Sequence, residues 1–276
     1  MSSTPAYKAQ LAMPRGFNLR QTLNCGQCFR FTEPFENVFC GVALGRYLEF
    51  KIDGETLLIS CEQEFADRCI VPYLGFDEDY DAINKILADD PTLKKAIEYA
   101  GGIRILRQPA WETLCSFIIS QNNNIRRISG IIERLCENFG EPLEGGGYSF
   151  PEPERLHNLS VDDLSPLRSG FRAKYILDAA KKVYSGEINF NEISKADTDS
   201  ARELLMKIHG VGPKVADCVL LFGFYKLDAF PKDVWIKKVM QKYYPNGLPE
   251  FAQKYGGIAQ QYLFHYERTA ETSNKD

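Results

Sequence analysis

The stretch between residues 204 and 240 constrains the fold most, because a helical pattern stops there and restarts within a few residues. Ser200 is a suitable N-cap for a first helix, Gly210 is a suitable end for it, and Pro213 suits the first turn of a second helix. The apolar positions of the first helix share one face: Leu204, Leu205 and Ile208. The pattern predicts two helices joined by a tight turn, a hairpin motif over residues 200–224.

The turn of this hairpin has the composition of an anion site. Gly212 allows the backbone to bend sharply, and the N–H groups at the start of the second helix then point outward. Such a turn holds a phosphate of nucleic acid without reading base sequence. Gly210 and Gly212 are therefore candidate phosphate-binding residues, although a turn between helices that binds nothing would show the same pattern.

Lys214 and Asp233 are the candidate catalytic residues. A lysine in the first turn of a helix is poorly placed for helix stability, because the helix dipole disfavours a cation there. The same dipole favours the free amine, which is the form that acts as a nucleophile. Asp233 is a good N-cap for the helix that follows it, and a carboxylate held there could also stabilise positive charge or move a proton.

Composition limits the class of protein. The 276 residues carry a formal net charge of −4, so any nucleic-acid surface must be a local patch; lysines outnumber acidic residues between positions 202 and 242. No apolar run approaches a membrane span, and the N-terminus lacks the apolar core of a signal peptide. We expect an intracellular protein without membrane contact, in the cytoplasm or nucleoid of a prokaryote or the nucleus of a eukaryote.

The eight cysteines are scattered, as expected for reduced and packed thiols. Cys25 and Cys28 form one C-x-x-C pair, but no second pair and no suitably spaced histidines complete a zinc site. Cys218 is the last cysteine, which excludes an iron–sulfur loop nearer the C-terminus. No metal and no cofactor are expected.

Periodicity divides the chain into a sheet part and a helical part, which predicts an α+β fold. Short β-rich runs separated by turn formers predict an antiparallel meander; they cover residues 27–31, 38–44, 47–52 and 56–61. Helical patterns follow at 79–87, 92–99, 109–120, 125–139, 173–184 and 200–208, with a glycine-rich loop at 140–147. With Gly101-Gly102 as the joint, we predict an N-terminal domain of residues 1–102 and a helical domain of residues 103–276.

The hairpin, the lysine and the aspartate together resemble the helix-hairpin-helix signature of the DNA glycosylase superfamily. Members with a lysine at this place are bifunctional glycosylase/lyases: the amine attacks the deoxyribose C1′, displaces the damaged base and forms a Schiff base that permits strand cleavage. The resemblance gives Lys214 the role of nucleophile and Asp233 the role of the carboxylate.

A second segment, residues 116–128, resembles the triple-asparagine segment of 8-oxoguanine DNA glycosylases. The resemblance implies that Asn122, Arg127 and Arg172 contact the cytosine left behind when its partner is flipped out. Phe171 would wedge into the vacated stack. An ordinary helix N-cap is the structural alternative for the asparagines.

The remaining site residues are implied by the same resemblance. The segment around Gly26 is similar to the N-terminal recognition strand of the family, in which a glycine carbonyl accepts the N7–H that distinguishes 8-oxoguanine from guanine. Cys218 lies one helical turn after Lys214, and with Phe264 it would sandwich the purine. Gln260 would contact the base edge. Taken singly, Cys218 and Phe264 would be read as core residues.

Three positions depart from the eukaryotic pattern of this family. Trp235 stands where a histidine is usual, Phe171 replaces a tyrosine, and Gln121 replaces a small hydroxyl residue. The expectation is a monomeric base excision repair enzyme that acts on double-stranded DNA containing 8-oxoguanine opposite cytosine. The alternatives are an alkylated-base DNA glycosylase and a non-catalytic helix-hairpin-helix DNA-binding protein.

Overall fold

The computed structural model describes residues 7–273, with side chains as far as residue 268, and it has the predicted α+β architecture. An antiparallel sheet forms the N-terminal part, and helices form nearly everything after it. Among the helices of this described part of the chain, none is long and apolar enough to cross a membrane.

The sheet has five strands, all paired antiparallel, in the spatial order β1-β5-β4-β3-β2. The central hairpin pairs Val38 with Lys51 and Ala43 with Arg46, which buries alternate side chains such as Leu48 and Phe50 against the rest of the protein. The strands are β1 (Ala9–Ala12), β2 (Phe31–Phe35), β3 (Val38–Ala43), β4 (Arg46–Asp53) and β5 (Thr56–Ile59).

The predicted meander over residues 38–61 is confirmed, but the strand predicted over residues 27–31 is wrong. Helix α1 (Leu19–Asn24) precedes this segment, and residues 25–30 form an irregular turn before β2. Phe29 in this turn is buried, and an alternating apolar pattern does not distinguish a buried turn residue from a strand residue. Strand β1 was not anticipated from the sequence.

The helices predicted from the 3.6-residue period are present with shifts of a few residues at their ends. The short helices α2 (Gln63–Phe65) and α3 (Val71–Tyr73) flank a π-helical turn at Ala66–Ile70, and a 3₁₀ turn lies at Ser165–Leu167. The others are α4 (Tyr80–Leu87), α5 (Pro91–Ala100), α6 (Ala110–Ser120), α7 (Ile125–Phe139), α8 (Pro153–Leu156), α9 (Arg172–Tyr184), α10 (Phe190–Lys195), α11 (Thr198–Met206), α12 (Pro213–Gly223), α13 (Val234–Tyr243), α14 (Glu250–Gln253) and α15 (Gly256–Ser273).

Two clusters of buried apolar side chains form the core. The smaller one lies between the sheet and the helical stretch of residues 63–74, and it includes Leu106 from the connector. The larger one belongs to the helical part and also contains side chains of α4 and α5, such as Ile83 and Leu93. These two helices precede residue 102 yet pack with α14 and α15. The domain division at residues 102 and 103 stays a prediction.

Candidate active site

A cleft of about 960 Å³ opens between five elements of the fold. They are the turn after α1, residues 121–124 between α6 and α7, which we call the asparagine loop, and helices α12, α13 and α15. Nine of the twelve predicted site residues line the cleft, and three do not: Arg127, Arg172 and Gly210. The nine are Gly26, Asn122, Phe171, Gly212, Lys214, Cys218, Asp233, Gln260 and Phe264.

The hairpin consists of α11, a turn and α12, and its N-cap differs from the prediction. Asp197, not Ser200, caps α11: its carboxylate accepts a hydrogen bond from the Ser200 N–H at 2.9 Å, and the helix begins at Thr198. The carboxylate also accepts from the Ser200 hydroxyl, so Ser200 lies inside the first turn as a partner of the cap. Ser200 as the N-cap was therefore wrong.

A largely buried ion pair holds the two helices of the hairpin together. The Arg202 Nε on α11 donates to the Asp217 carboxylate on α12 at 2.5 Å. Burial raises the pKa of Asp217, while the Arg202 guanidinium opposes that rise. This pair fixes α12, and with it Lys214 and Cys218, relative to α11.

Gly210 occupies a conformation that only glycine fits well. Its φ is +83°, and a Cβ at this position would lie 2.4 Å from the ring of Tyr175 on α9. That ring packs edge-on against both Phe171 and His209, so it has little room to move. Gly212 differs: its φ is −98°, and no heavy atom would lie within 4 Å of an added Cβ.

Replacing the two glycines of the turn is expected to have unequal effects on stability. Gly210→Ala should lower the free energy of unfolding by about 2 kcal/mol or more, because strained backbone and a steric clash combine. Gly212→Ala is the matched control: because Gly212 is the N-cap of α12 and lacks a steric clash, the change should be at most about 1 kcal/mol. Denaturant unfolding of both variants measures the difference. Equal destabilisation would contradict this description of the turn.

Lys214 is the second residue of α12, as predicted, and its side chain is half-buried in the cleft. Its ammonium lies 5.2 Å from the centre of the Phe117 ring. Phe117 is itself fixed, because it stacks on Phe222 at 5.4 Å and meets Phe29 edge-on at 5.8 Å. Aromatic packing between α6 and α12 therefore restricts where the amine can lie.

Cys218 follows Lys214 by one helical turn and lies beside its amine. Burial raises the pKa of the Cys218 thiol to about 11, although the adjacent Lys214 charge opposes the rise. The nearby Asp233 carboxylate also raises this pKa. The thiol therefore stays protonated at neutral pH, which suits packing against a base and does not suit nucleophilic attack.

Asp233 is the N-cap of α13, as predicted. Its Oδ1 accepts a hydrogen bond from the Ile236 N–H at 2.7 Å, which fixes the carboxylate at the rim of the cleft. The next residue, Val234, is 71% exposed, so the start of α13 presents apolar surface beside the carboxylate.

Hydrogen bonds from the buried Arg172 fix the backbone of the asparagine loop. Asn124 caps α7 by accepting from the Arg127 N–H at 3.0 Å, and Asn122 has a left-handed backbone, with φ of 47°. The buried Arg172 guanidinium donates to the carbonyl oxygens of Gln121 and Asn122, the latter at 2.9 Å. Arg172 thus supports the loop that presents Asn122 to the cleft, and its predicted contact with the unpaired cytosine stays a prediction.

Phe171 and Arg127 are the exposed members of this region. Phe171 is 47% exposed at the start of α9, and the Arg172 guanidinium lies 4.4 Å from the centre of its ring. Arg127 is exposed on the first turn of α7, and its charge adds to burial in lowering the pKa of Arg172. An exposed aromatic ring and an exposed cation therefore lie beside the asparagine loop.

Gly26 lies in the turn before β2 with φ of +90°, and its neighbour Gln27 anchors that turn. The buried Gln27 amide donates to the carbonyls of Thr22 and Arg104 at 2.9 and 2.8 Å, and it accepts from the Leu106 N–H at 2.9 Å. Sequence reasoning missed this residue; a glutamine next to a predicted functional glycine was the only signal available.

The last wall of the cleft is α15, which carries Gln260 and the half-buried Phe264 four residues apart. Gln260 is buried, and its Oε1 accepts a hydrogen bond from the Gln261 amide at 2.7 Å. An amine, a carboxylate, a thiol, an amide and aromatic rings therefore surround one cleft. Such a set can hold a flat polar ring beside a nucleophile.

Two family models cover most of the chain. The model described as "8-oxoguanine DNA glycosylase, N-terminal domain" matches residues 10–114, and the "HhH-GPD superfamily base excision DNA repair protein" model matches residues 115–250. Their junction lies inside α6, which carries Phe117.

Among curated proteins, the Saccharomyces cerevisiae N-glycosylase/DNA lyase is 40% identical over 177 residues, which is 57% of this chain and 47% of that protein. The match thus spans about half the length of the yeast relative. A probable N-glycosylase/DNA lyase of Methanothermobacter thermautotrophicus is 34% identical over 213 residues, covering 65% of this chain and 68% of that protein.

Among solved structures, the Clostridium acetobutylicum 8-oxoguanine glycosylase/lyase is similar over nearly the full length. It was determined in complex with double-stranded DNA containing cytosine opposite 8-oxoguanine. The TM-score is 0.86 at 37% sequence identity, and the match covers 93% of each chain.

Proposed function

We propose that this chain, which belongs to the 8-oxoguanine DNA glycosylase family of the HhH-GPD superfamily, excises 8-oxoguanine opposite cytosine from duplex DNA and cleaves the resulting abasic strand. The observation that carries the proposal is the placement of Lys214 and Asp233 in one cleft with Gly26, Cys218 and Phe264. The protein acts as a monomer inside the cell, in the compartment that contains the DNA.

Damaged DNA docks on the hairpin and the asparagine loop. The N–H groups at the start of α12, which Gly212 leaves accessible, receive a backbone phosphate. The exposed Phe171 ring enters the stack where the lesion was, and Asn122 and Arg127 hydrogen-bond the unpaired cytosine. Arg172 holds the loop in this position through the Gln121 and Asn122 carbonyls.

The flipped base occupies the cleft between the Cys218 thiol and the Phe264 ring, which contact its two faces. The Gly26 carbonyl accepts the N7–H of 8-oxoguanine, whereas in guanine N7 is an acceptor and would repel it. Because Gln27 anchors this turn through three hydrogen bonds, the carbonyl stays fixed when a base without that proton enters.

Excision begins when the free Lys214 amine attacks C1′ of the deoxyribose. The new C–N bond forms as the bond to the base breaks, and the base leaves with that electron pair and takes up a proton. The Asp233 carboxylate stabilises the positive charge that develops on the sugar. The attached amine then loses a proton, and the C1′–O4′ bond breaks as O4′ takes up a proton, which leaves a protonated Schiff base between C1′ and Lys214.

Strand cleavage follows from the same intermediate. The protonated imine acidifies C2′, and removal of a C2′ proton expels the 3′-phosphate by β-elimination. Water then hydrolyses the imine and restores the lysine amine. The amine therefore accounts for both activities, with water as the other reactant.

A single-turnover assay tests the proposed substrate directly. Duplexes with 8-oxoguanine opposite cytosine should be cleaved, while duplexes containing 3-methyladenine should not. Faster release of 3-methyladenine would instead support an alkylated-base glycosylase. Binding of both duplexes without turnover would support a non-catalytic DNA-binding protein.

Arg127 is expected to determine the preference for the opposite base. With 8-oxoguanine opposite cytosine or adenine, the wild-type protein should prefer cytosine by roughly tenfold or more, since a good base contact is worth about 1–3 kcal/mol. Arg127→Ala should lose most of this preference. The neighbouring exposed Arg126 provides the matched control, because Arg126→Ala should keep it. Loss of preference in both variants would refute the assignment.

A further inference from the structure

Helix α9 contacts the turn between α11 and α12 through three side chains on one of its faces. Tyr175, Asp178 and Lys182 are spaced three and four residues apart, which places them in a row along a helix. The Tyr175 ring packs edge-on against the ring of His209 in the turn, with 4.9 Å between the ring centres. The same ring closes the space beside Gly210, where it leaves no room for a side chain. This face of α9 therefore packs directly on the turn.

Asp178 and Lys182 each hold one backbone group of the turn. The Asp178 Oδ2 accepts a hydrogen bond from the His209 N–H at 2.7 Å, and the Lys182 Nζ donates to the Lys207 carbonyl at 2.6 Å. The two side chains also form an ion pair with each other, with 3.2 Å between the Lys182 Nζ and the Asp178 Oδ2. The last carbonyls of a helix lack partners within it, and the Lys182 ammonium supplies one at the end of α11. The pair thus fixes the backbone just before Gly210.

The other end of α9 carries residues that are proposed to contact DNA. Phe171 immediately precedes the helix, and Arg172 in its first turn donates to the carbonyls of the asparagine loop. The Phe171 ring meets the Tyr175 ring edge-on at 5.7 Å. An α-helix is a rigid element that rises about 1.5 Å per residue. The contacts along α9 therefore set the distance between the exposed Phe171 ring and the turn of the hairpin.

We propose that Asp178 and Lys182 are positioning residues for DNA binding. They hold the turn, and with it the first N–H groups of α12, in the geometry that receives a backbone phosphate. This inference rests on the proposed function, because it assumes that the turn binds DNA. Neither side chain needs to touch the DNA. A turn that is ordered before binding increases affinity, because less conformational entropy is lost when the phosphate binds.

Replacing Asp178 separates this role from the effect of its charge. If only charge mattered, loss of an acidic side chain near a DNA-binding surface would strengthen binding, because repulsion of the phosphates is removed. Asp178→Ala should instead weaken binding, because the His209 N–H loses its acceptor and Lys182 loses its ion-pair partner. Asp178→Asn keeps an oxygen that can accept from the His209 N–H, so it should preserve the position of the turn.

The test measures dissociation constants for a duplex that carries a tetrahydrofuran abasic analogue opposite cytosine. This analogue has no base to excise and forms no Schiff base, so binding is observed without chemistry. Asp178→Ala should bind the duplex roughly fivefold or more weakly than the wild-type protein, and Asp178→Asn within about twofold of it. Glu203→Ala removes the same charge from an exposed position on α11 and is the matched control, which should not weaken binding.

The rate of 8-oxoguanine excision at saturating protein concentration is the second readout. In Asp178→Ala it should stay within about threefold of the wild-type rate, because the Arg202–Asp217 ion pair holds α12, and with it Lys214, independently of α9. The protein concentration that gives half of the maximal rate should rise together with the dissociation constant. Titration against a stoichiometric amount of DNA gives the active fraction and so corrects for any unfolded protein.

Unchanged or tighter binding by Asp178→Ala, or equal weakening in Asp178→Ala and Asp178→Asn, would overturn the proposal. Failure of the proposed function is visible separately. If the wild-type protein binds the abasic duplex and does not excise 8-oxoguanine, the proposed function fails, and the Asp178 variants still test the role of α9. If it excises the base and Asp178→Ala binds as tightly as the wild-type protein, only the positioning role fails.

Discussion

Lys214→Gln is expected to abolish excision of 8-oxoguanine, with the single-turnover rate falling by at least roughly 10³-fold. The amide is similar in length to the amine but cannot attack C1′ or form a Schiff base. Affinity for the lesion duplex should stay within about tenfold of wild type, since the hairpin turn, the asparagine loop and Phe171 are unchanged. Gel-based excision and binding assays with the same duplex measure both quantities.

The control for this variant is an exposed lysine that does not line the cleft. Lys181→Gln, on α9, should excise the base at the wild-type rate. If Lys214→Gln kept even a tenth of the wild-type rate, the amine would not be the nucleophile. A mechanism through Asp233 and water would then be the better explanation.

Asp233→Asn is expected to lower the rate of excision roughly 10²- to 10³-fold while leaving the fold intact. Asparagine and aspartate are about equally good N-caps, so the hydrogen bond to the Ile236 N–H should persist. The free energy of unfolding should therefore change by less than about 1 kcal/mol. Single-turnover kinetics and denaturant unfolding of the same preparation separate the two effects.

A second substitution of Asp233 separates the effect of its carboxylate charge on the rate from the effect of its helix-capping hydrogen bond on stability. Asp233→Ala should show a similar loss of rate and, in addition, a loss of about 1 kcal/mol of stability because the start of α13 is uncapped. If Asp233→Asn excised 8-oxoguanine as fast as the wild-type protein, the carboxylate would serve only as a helix cap.

The sequence was most informative where local chemistry fixes local structure. Gly210 and Pro213 mark the turn of the hairpin because their backbone preferences are strong, although α11 already ends at Met206. Asp233 is recognisable as an N-cap because its short side chain can accept a hydrogen bond from the first turn of α13. The spacing of four between Lys214 and Cys218 places both on one side of α12, and the structure has both side chains in the cleft.

The sequence was least informative where the contacts are distant along the chain. Arg172 fixes the Asn122 loop across about 50 positions of sequence, and Gln27 fixes the Gly26 turn by a bond to a residue about 80 positions away. No periodic pattern in the sequence indicates either contact. The strand predicted over residues 27–31 is wrong because a buried turn residue such as Phe29 gives the same sequence pattern as a strand residue. Only the folded chain identifies such contacts.

The central claim, that the Lys214 amine performs the chemistry on 8-oxoguanine, is tested most directly by borohydride trapping. Borohydride reduces a Schiff base to a stable amine, so the wild-type protein incubated with an 8-oxoguanine:cytosine duplex should become covalently joined to the DNA. Peptide mapping should place the adduct on Lys214, and Lys214→Gln should give none. Excision without any trapped adduct, or equal trapping by Lys214→Gln, would contradict the claim.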